Sequence, residues 1–254
     1  MPTTTSVPPT TTAPSGTHAL PYRYAYDTGS DTATTAADGW NLVDAGGKSE
    51  ADSSPSGTRA LVWEGGYSPT TCSFAVSDAT LTSDVTRMKG DAKVFGYYIS
   101  DEPNDATNCP NAPAQHAART ALIHSIDPSA IVVIVLDATG DHELARFSQW
   151  STPTDADVIG IDPYPFITGK SPDWALVNDA VSAADAAHFN YWFVVQSFSN
   201  FEYRFPTAPE LQTLLGMAAS SHAQGLMTFA WRYSGNCLCD HPDLLSVWSA
   251  YNHS

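Results

Sequence analysis

The chain has 254 residues, of which 43% are hydrophobic and 11% aromatic, which is enough to bury one large hydrophobic core. Its 27 acidic and 11 basic residues give a formal net charge of -16, which disfavours binding to nucleic acid and to anionic membrane surfaces. No apolar stretch approaches the roughly 20 residues that a membrane-spanning helix needs.

The N-terminal segment is the first predicted element. Positions 2–17, PTTTSVPPTTTAPSGT, contain few groups that can be buried, so the segment is not expected to fold. We interpret residues 1–18 as a disordered, mucin-like linker that tethers a secreted domain to another module, and we expect a mature domain without its leader. A frayed terminus is the simpler alternative. In both cases residues 19–254 carry the fold.

Eight apolar segments then alternate with stretches of helical pattern. The segments, in chain order, are YRYAYD, NLVDAG, RALVWEGG, VFGYYISDEP, AIVVIVLD, DVIGIDPYP, YWFVVQSF and LMTFAWRYS. Helical patterns are clear over residues 112–126, 172–189 and 206–225, whereas residues 31–40 and 48–57 contain few large apolar side chains. Alternating strands and helices predict a parallel sheet, and eight strands close that sheet into a single (β/α)8, or TIM, barrel of the α/β class.

Four cysteines support an oxidising compartment. Their even number, without a C-x-x-C pair, favours disulfides over a zinc site. Three connectivities are possible. We favour Cys72 with Cys109, which joins two consecutive loops, and Cys237 with Cys239, which forms a tight link. The protein is therefore expected to be secreted.

Polar side chains interrupt the apolar pattern where each strand ends. These ends carry Asp27, Asp44, Glu64, Asp101 with Glu102, Asp137, Asp162 with Tyr164, Gln196, and Trp231 with Arg232. All eight carboxyl ends meet on one face of a TIM barrel, where active sites lie. A single acid after a strand is commonly a turn or helix cap, which is our interpretation of Asp44 and Asp137. Glu102 differs, because Pro103 favours an extended backbone before it and holds the carboxylate at the strand end.

The sequence SDEP, residues 100–103, resembles the Asn-Glu-Pro or Asp-Glu-Pro signature of secreted (β/α)8 glycoside hydrolases of the clan-A type. DVIGIDPYP, VVQSF and PTAPEL also resemble segments of secreted barrels related to glycosidases. The resemblance implies that Glu102 is the general acid and that Asp101 contacts the sugar hydroxyl beside the reacting carbon. Retaining members carry a nucleophilic glutamate on strand seven, where this chain has Gln196. Glu202, six residues later, is a weaker substitute.

Glycosidic hydrolysis normally uses two carboxyl groups, one to protonate the leaving oxygen and one to attack or to activate water. We predict Asp162 as the second group, at the separation of roughly 6.5–9.5 Å that suits inversion. Asp27 is the reserve base. Alternatively, Asp101 orients the acetamido group of an N-acetylhexosamine polymer as an internal nucleophile while Glu102 protonates the leaving oxygen. Neighbouring acids and aromatic side chains are expected to keep Glu102 protonated, which predicts an acidic pH optimum.

Aromatic side chains at the strand ends are predicted to stack on sugar rings. The candidates are Tyr26, Trp63, Tyr67, Tyr98, Tyr164, Phe198, Trp231 and Tyr233, and we expect about half of them to pack beneath the helices instead. Trp231 is the strongest candidate, because the resemblance places the residue that ends strand eight beneath the sugar. Asp27, Glu64, Asp101, Gln196 and Arg232 complete the predicted substrate-binding set.

Other chemistries lack their signatures. The sequence contains no G-x-S-x-G, no H-E-x-x-H and no phosphate-binding glycine loop, and its eight histidines are scattered, so no cofactor or metal is predicted. The sequence therefore predicts a secreted, monomeric glycoside hydrolase that cleaves O-glycosidic bonds in a polysaccharide or oligosaccharide. A barrel that binds carbohydrate without cleaving it is the alternative, and the missing glutamate on strand seven favours it.

Overall fold

A computed structural model of the chain describes residues 18–105 and 109–254, so the predicted linker lies outside the described residues except for His18. All eight predicted segments form strands: β1 (Tyr22–Ala25), β2 (Leu42–Ala45), β3 (Arg59–Trp63), β4 (Val94–Asp101), β5 (Ile131–Asp137), β6 (Val158–Asp162), β7 (Tyr191–Gln196) and β8 (Gly225–Phe229). The strands pair in parallel and in chain order, and β8 pairs with β1. The predicted closed barrel is thus confirmed.

Eight α-helices lie between and after these strands within the described residues. They are α1 (Thr32–Ala37), α2 (Lys48–Asp52), α3 (Asp78–Met88), α4 (Ala112–Ile126), α5 (Asp141–Leu144), α6 (Trp174–Ala186), α7 (Ala208–Ala219) and α8 (Pro242–Asn252). The helices after β1 and β2 have only 6 and 5 residues, as their sparse apolar side chains predicted. α7 begins with a capping box, in which the Thr207 backbone N–H donates to Glu210 at 2.7 Å.

Side chains on the barrel strands point alternately into the barrel and towards the helices. The fully or nearly buried interior set is Tyr24, Leu42, Leu61, Phe95, Tyr98, Val133, Val135, Val158, Trp192, Val194 and Met227. A Cβ at Gly160 would lie 2.7 Å from Val135 Cγ2, so glycine is required where these interior side chains approach β6. Because this interior is packed with apolar groups, a polar site can form only at the ends of the strands.

Two disulfides tie down loops on the carboxyl-end face of the barrel. Cys72 bonds to Cys109, which links the β3–α3 loop to the β4–α4 loop, and Cys237 bonds to Cys239 after β8. Both pairings agree with the favoured prediction. In the part of the chain that the structure describes, no helix has the length and apolar character needed to cross a bilayer.

Candidate active site

A cavity opens at the carboxyl ends of the strands. Its lining consists of Tyr26, Asp27, Asp101, Glu102, Asp137, Thr139, Tyr164, Phe198, Asn200, Tyr203, Phe229 and Tyr233. These residues end, or closely follow, β1, β4, β5, β6, β7 and β8. The closed barrel therefore brings together acids and aromatic side chains that are up to about 200 positions apart in the sequence.

Glu102 and Asp162 contact each other beneath this cavity. Asp162 is 1% exposed, and its Oδ1 accepts a hydrogen bond from the Ala138 backbone N–H at 3.0 Å. No N–H donor faces its Oδ2, but the carboxyl group lies within hydrogen-bonding reach of Glu102. Two carboxylates have no hydrogen to share, so this contact is a hydrogen bond only when one of the two groups is protonated.

The environment of Asp162 favours its protonated form. Burial makes the largest contribution, and the charge of Glu102 adds to it, so that the pKa of Asp162 lies well above its ordinary value. The charges of Asp137 and Asp101 act in the same direction. The pair therefore keeps a proton beside the cavity to a higher pH than an isolated carboxyl group would.

Two predictions about this pair are wrong. The expected gap of roughly 6.5–9.5 Å between the Glu102 and Asp162 carboxyls is replaced by a direct contact, which leaves no room for a water molecule between them. The expected extended backbone at Glu102 is also absent, because its φ is 46°, in the left-handed region that strains a non-glycine residue. The Glu102 backbone N–H still donates to the Val135 carbonyl at 2.9 Å, so the residue stays anchored to β5.

Asp101 is oriented by a tyrosine from the barrel interior. The hydroxyl of buried Tyr98 donates to Asp101 Oδ1 at 2.5 Å. Burial raises the pKa of Asp101, the Tyr98 hydrogen bond opposes that shift, and the charge of Asp137 adds to it. Protein atoms crowd one side of Asp101, but the residue is open to water in the cavity, and this water weakens these effects. Asp101 thus presents a fixed carboxylate next to Glu102.

Asp27 and Asp137 also face the cavity. Asp27 is exposed, and its φ of 57° is left-handed like that of Glu102. Burial and the charge of Asp44 raise the pKa of Asp27, whereas Arg232 lowers it. Asp137 accepts hydrogen bonds from the Thr139 N–H and hydroxyl, both at 2.7 Å, so the cap interpretation is confirmed while the cavity role was missed.

Asp44 also has a structural role, but it caps the β1–α1 loop and not the turn after its own strand. Its Oδ1 accepts hydrogen bonds from the Thr28 backbone N–H at 2.9 Å and from the Thr28 hydroxyl at 2.5 Å. Asp137 caps the turn that follows its own strand, whereas Asp44 reaches across to the loop that follows β1. A cap and a cavity residue therefore look alike in the sequence.

Six aromatic side chains form the walls of the cavity. They are Tyr26, Tyr164, Phe198, Tyr203, Phe229 and Tyr233. Tyr233 is the centre of one wall, with its ring centroid 5.2 Å from that of Phe198 and 5.1 Å from that of Phe229. Trp63 and Tyr98, predicted platforms, pack edge to face at 4.8 Å and are not part of the cavity lining. Tyr203 and Phe229 were not predicted.

Trp231 is not available to stack on a sugar. Its side chain is 0% exposed, its ring packs 5.7 Å from Trp40, and its Nε1–H donates to Asp31 Oδ2 at 2.9 Å. Arg232 pairs with the same Asp31 carboxylate and does not line the cavity. Both residues anchor the chain after β8 to the β1–α1 loop, so neither predicted substrate contact is supported.

Replacement of Trp231 by Phe tests this correction. Because the indole is buried and hydrogen-bonded, W231F should lower the free energy of unfolding by about 1–3 kcal/mol. It should leave KM for the substrate unchanged, since the ring does not reach the cavity. Urea denaturation and steady-state kinetics measure the two effects. A large rise in KM at unchanged stability would restore the platform interpretation.

Glu64 and Tyr67, the other residues predicted near β3, also lie away from the cavity. Glu64 is buried with Asp84, Arg119 and Arg87 as its charged neighbours, and burial raises its pKa to about 7. The Tyr67 hydroxyl donates to Gln115 Oε1 at 2.5 Å. These side chains face the α3–α4 layer, so the structure does not bring Glu64 to the cavity where substrate binding was predicted.

Gln196 is a structural residue. Its Oε1 accepts from the Phe166 N–H at 2.9 Å, and its Nε2 donates to the carbonyls of Phe166 and Arg204, both at 3.1 Å. The side chain is fully buried and does not line the cavity. The amide thus joins the loops after β6 and β7, and the structure does not bring it to the cavity where substrate binding was predicted.

A glutamate at this position would therefore damage the fold. In Q196E a carboxylate faces two carbonyl oxygens, so we expect the free energy of unfolding at pH 7 to fall by about 2–5 kcal/mol. The folded-state pKa of the new acid would be raised, so the stability would be recovered in part as the pH falls. Thermal unfolding at several pH values tests this. An increase in hydrolysis would instead show that position 196 can serve as a nucleophile.

Comparison with known proteins places the fold. No family model and no curated protein sequence matches the chain. An exo-β-1,4-mannosidase from Opitutaceae bacterium strain TAV5 is 12% identical, with a TM-score of 0.63 over 92% of this chain and 59% of its own. A GH128 endo-β-1,3-glucanase from Amycolatopsis mediterranei is 14% identical, with a TM-score of 0.55 over 91% and 99% of the two chains.

A fungal β-1,4-galactanase is similar as well. It is 18% identical, with a TM-score of 0.54 over 83% of this chain and 89% of its own. Identities this low establish a shared architecture and nothing finer. The chain has the closed (β/α)8 fold of these glycoside hydrolases, as the SDEP resemblance predicted.

Proposed function

We propose that the protein is a secreted glycoside hydrolase that cleaves O-glycosidic bonds in a polysaccharide, with Glu102 as the general acid. The observation that carries this proposal is the contact between Glu102 and buried Asp162 beneath an aromatic-walled cavity. A protonated carboxyl group at the mouth of a barrel is the group that a glycosidic oxygen needs as it departs. The two disulfides support secretion.

Glu102 is the member of the pair that can reach substrate, because it lines the cavity and Asp162 does not. Glu102 donates its proton to the glycosidic oxygen while the bond between that oxygen and the anomeric carbon breaks, and the bonding electrons stay on the oxygen. Until that transfer, ionised Asp162 accepts the hydrogen bond of protonated Glu102, and its negative charge favours retention of the proton on the pair. Asp162 is thus a positioning residue that holds the proton of Glu102, and it does not activate the attacking water as the sequence predicted.

The attacking water needs a second carboxylate. Asp27 is our candidate, because it lines the same cavity from β1 and is exposed to water. It takes a proton from a water molecule as the oxygen of that water bonds to the anomeric carbon on the face opposite to the leaving group. This step inverts the configuration.

Asp101 offers a second mechanism. It lies beside Glu102, and the hydrogen bond from Tyr98 fixes its orientation, as an acid that positions an acetamido group would require. On an N-acetylhexosamine polymer, the acetamido oxygen would attack first and water would open the ring that results. The product would then retain the configuration at the anomeric carbon. The anomer that forms first therefore distinguishes the mechanism through Asp27 from the mechanism through Asp101.

The charge of the cavity restricts the substrate. Among the described residues that line it, four are acids and none is lysine, arginine or histidine. This field repels uronic acids and sulfated sugars and accepts uncharged or amine-bearing sugars. We therefore expect activity on neutral or amino polysaccharides and none on polygalacturonate.

A polysaccharide screen tests the proposal. The protein is incubated at pH 4–7 with β-1,3-glucan, β-1,4-galactan, β-1,4-mannan, chitin, chitosan and polygalacturonate, and reducing ends are measured. We expect one or more of the first five to be hydrolysed, and NMR of the first product assigns inversion or retention. Binding to a polymer without any hydrolysis would instead support the non-catalytic barrel.

A further inference from the structure

Two large hydrophobic side chains are exposed in the described part of the chain, one in the cavity lining and the other in a loop that contributes to that lining. Phe201 is 93% exposed and Tyr233 is 39% exposed. Tyr233 lines the cavity, and Phe201 stands between Asn200 and Tyr203, which also line it. A single exposed hydrophobic side chain is common on protein surfaces, but here the exposed ring continues an aromatic-walled cavity and offers a flat apolar face to a ligand that extends out of it.

The Phe201 turn is held in place by hydrogen bonds. Asn200 Oδ1 accepts from the backbone N–H groups of Glu202 and Tyr203, both at 2.8 Å, which leaves Phe201 at the tip of the turn. The Thr168 N–H donates to the Glu202 carbonyl at 2.8 Å, which ties the turn to the loop after β6. The ring is thus presented on an ordered support, at little cost in conformational entropy on binding.

The hairpin that carries Tyr233 is joined to the same region. Strands Arg232–Tyr233 and Asn236–Cys237 pair, and Asn236 Nδ2 donates to the Ser199 carbonyl at 3.1 Å. The Tyr233 ring also packs against Phe198, which belongs to the loop after β7. Phe201 and Tyr233 therefore belong to one connected rim on the β7–β8 side of the cavity.

We propose that Phe201 and Tyr233 form a rim subsite, in which Phe201 stacks on a sugar ring of the polymer outside the cleavage site. The inference deepens the proposed function and rests on it. Sugar rings present flat faces of C–H groups that pack on aromatic rings. The most exposed ring has the most apolar surface to remove from water, so it contributes the most binding free energy when a sugar covers it. A subsite beyond the cavity has an occupant only if the substrate is a chain of several sugars. The substrate class is therefore a polymer bound over several residues.

Chain-length dependence tests the rim subsite. F201A and wild type are compared on the hydrolysed polymer and on its oligosaccharides of two to six sugars. F201A should lower kcat/KM about tenfold on the polymer and long oligomers, mainly through KM, while the shortest cleaved oligomer is unaffected. F201W should retain polymer activity, and F201L, which keeps an apolar group but loses the flat ring, should not. An equal effect on all lengths, or none, would overturn the proposal.

Binding separates this inference from the proposed function. E102Q and the double variant E102Q/F201A are run in native gels that contain β-1,3-glucan, β-1,4-galactan, β-1,4-mannan or chitosan. Retardation of E102Q that is lost in E102Q/F201A, together with no hydrolysis of any polymer by the wild type, would support the subsite and reject the glycosidase. Hydrolysis by the wild type that is unchanged in F201A would support the glycosidase and reject the subsite. Because Phe201 is exposed, adding F201A to E102Q should not unfold the protein, and equal melting temperatures of the two variants would verify this.

Discussion

Replacement of Glu102 by Gln should abolish hydrolysis while binding survives. The amide has nearly the same shape but cannot deliver a proton to the glycosidic oxygen, so kcat/KM should fall by about 10³–10⁴-fold. The affinity for the polysaccharide should stay within a small factor, because the aromatic walls of the cavity are unchanged. Reducing-end assays and isothermal titration measure the two quantities on the same preparation.

Glu202→Gln is the matched control for E102Q. Glu202 is an exposed acid in the loop after β7, next to Phe201. It is the residue that the sequence offers as a substitute nucleophile after strand seven. We expect E202Q to keep wild-type turnover, since Glu202 does not line the cavity. If E202Q lost activity and E102Q kept it, the acid would be misassigned. If both lost activity, Glu202 would replace Asp27 as the second carboxylate.

The barrel was predictable because its strands are buried on both faces. A strand covered by helices outside and by the barrel interior inside reads as a continuous apolar run, and the run that ends in IVLD is an example. Such runs identify parallel strands without an alignment. Their number then predicts closure, and the strand order confirms it.

The site was predictable only as far as the strand geometry continues. Every second residue of β6 points into the barrel, beginning with Val158. The inward direction of Asp162 therefore follows from the sequence. Trp231 lies two residues after inward-facing Phe229, and the same alternation would place it in the cavity. β8 ends at Phe229, however, and beyond that point the chain turns towards the β1–α1 loop. Alternation therefore fails where the strand ends.

Irregularities in the backbone account for other errors. The pairing of β4 with β5 shifts register between Tyr98 and Ser100, which resets the direction of the side chains that follow. Asp101 and Glu102 come directly after this shift, and Glu102 then adopts its left-handed backbone. Neither feature leaves a mark in the residue types. The Glu102–Asp162 contact depends on both, so its distance could not be predicted from strand order.

Replacement of Asp162 by Asn should lower activity and raise stability. The asparagine side chain of D162N can still accept from the Ala138 N–H through its Oδ1, so its NH2 group is left to face Glu102. Protonated Glu102 then loses an acceptor, and its ionised form gains a permanent donor. The acid form needed for catalysis is disfavoured, so the alkaline limb of the pH–rate profile should move down by about one pH unit, equivalent to about 1.4 kcal/mol. The maximal rate should fall about tenfold or more.

The free energy of unfolding of D162N should exceed that of the wild type by an amount that grows as the pH rises. The folded-state pKa of Asp162 is raised above its unfolded value, so above pH 3.8 the wild-type folded state binds a proton that the unfolded state has lost. The wild type therefore loses stability as the pH rises from there through the folded-state pKa, and D162N, which does not titrate at this position, avoids that loss. Each kcal/mol of difference should appear as about 2–4 °C in melting temperature.

Asp155→Asn provides the matched control for D162N. Asp155 is also buried, burial raises its pKa, and its carboxylate accepts from the Ser151 N–H at 2.8 Å, but it precedes β6 at the opposite end of the barrel. D155N should change the pH dependence of stability in the same sense and leave the pH–rate profile alone. A shift of the rate profile in D155N would mean that overall charge, and not the Glu102 contact, controls the acid. An unshifted profile in D162N would remove Asp162 from the mechanism, because a proton shared with Glu102 cannot be lost without changing the pH at which Glu102 acts.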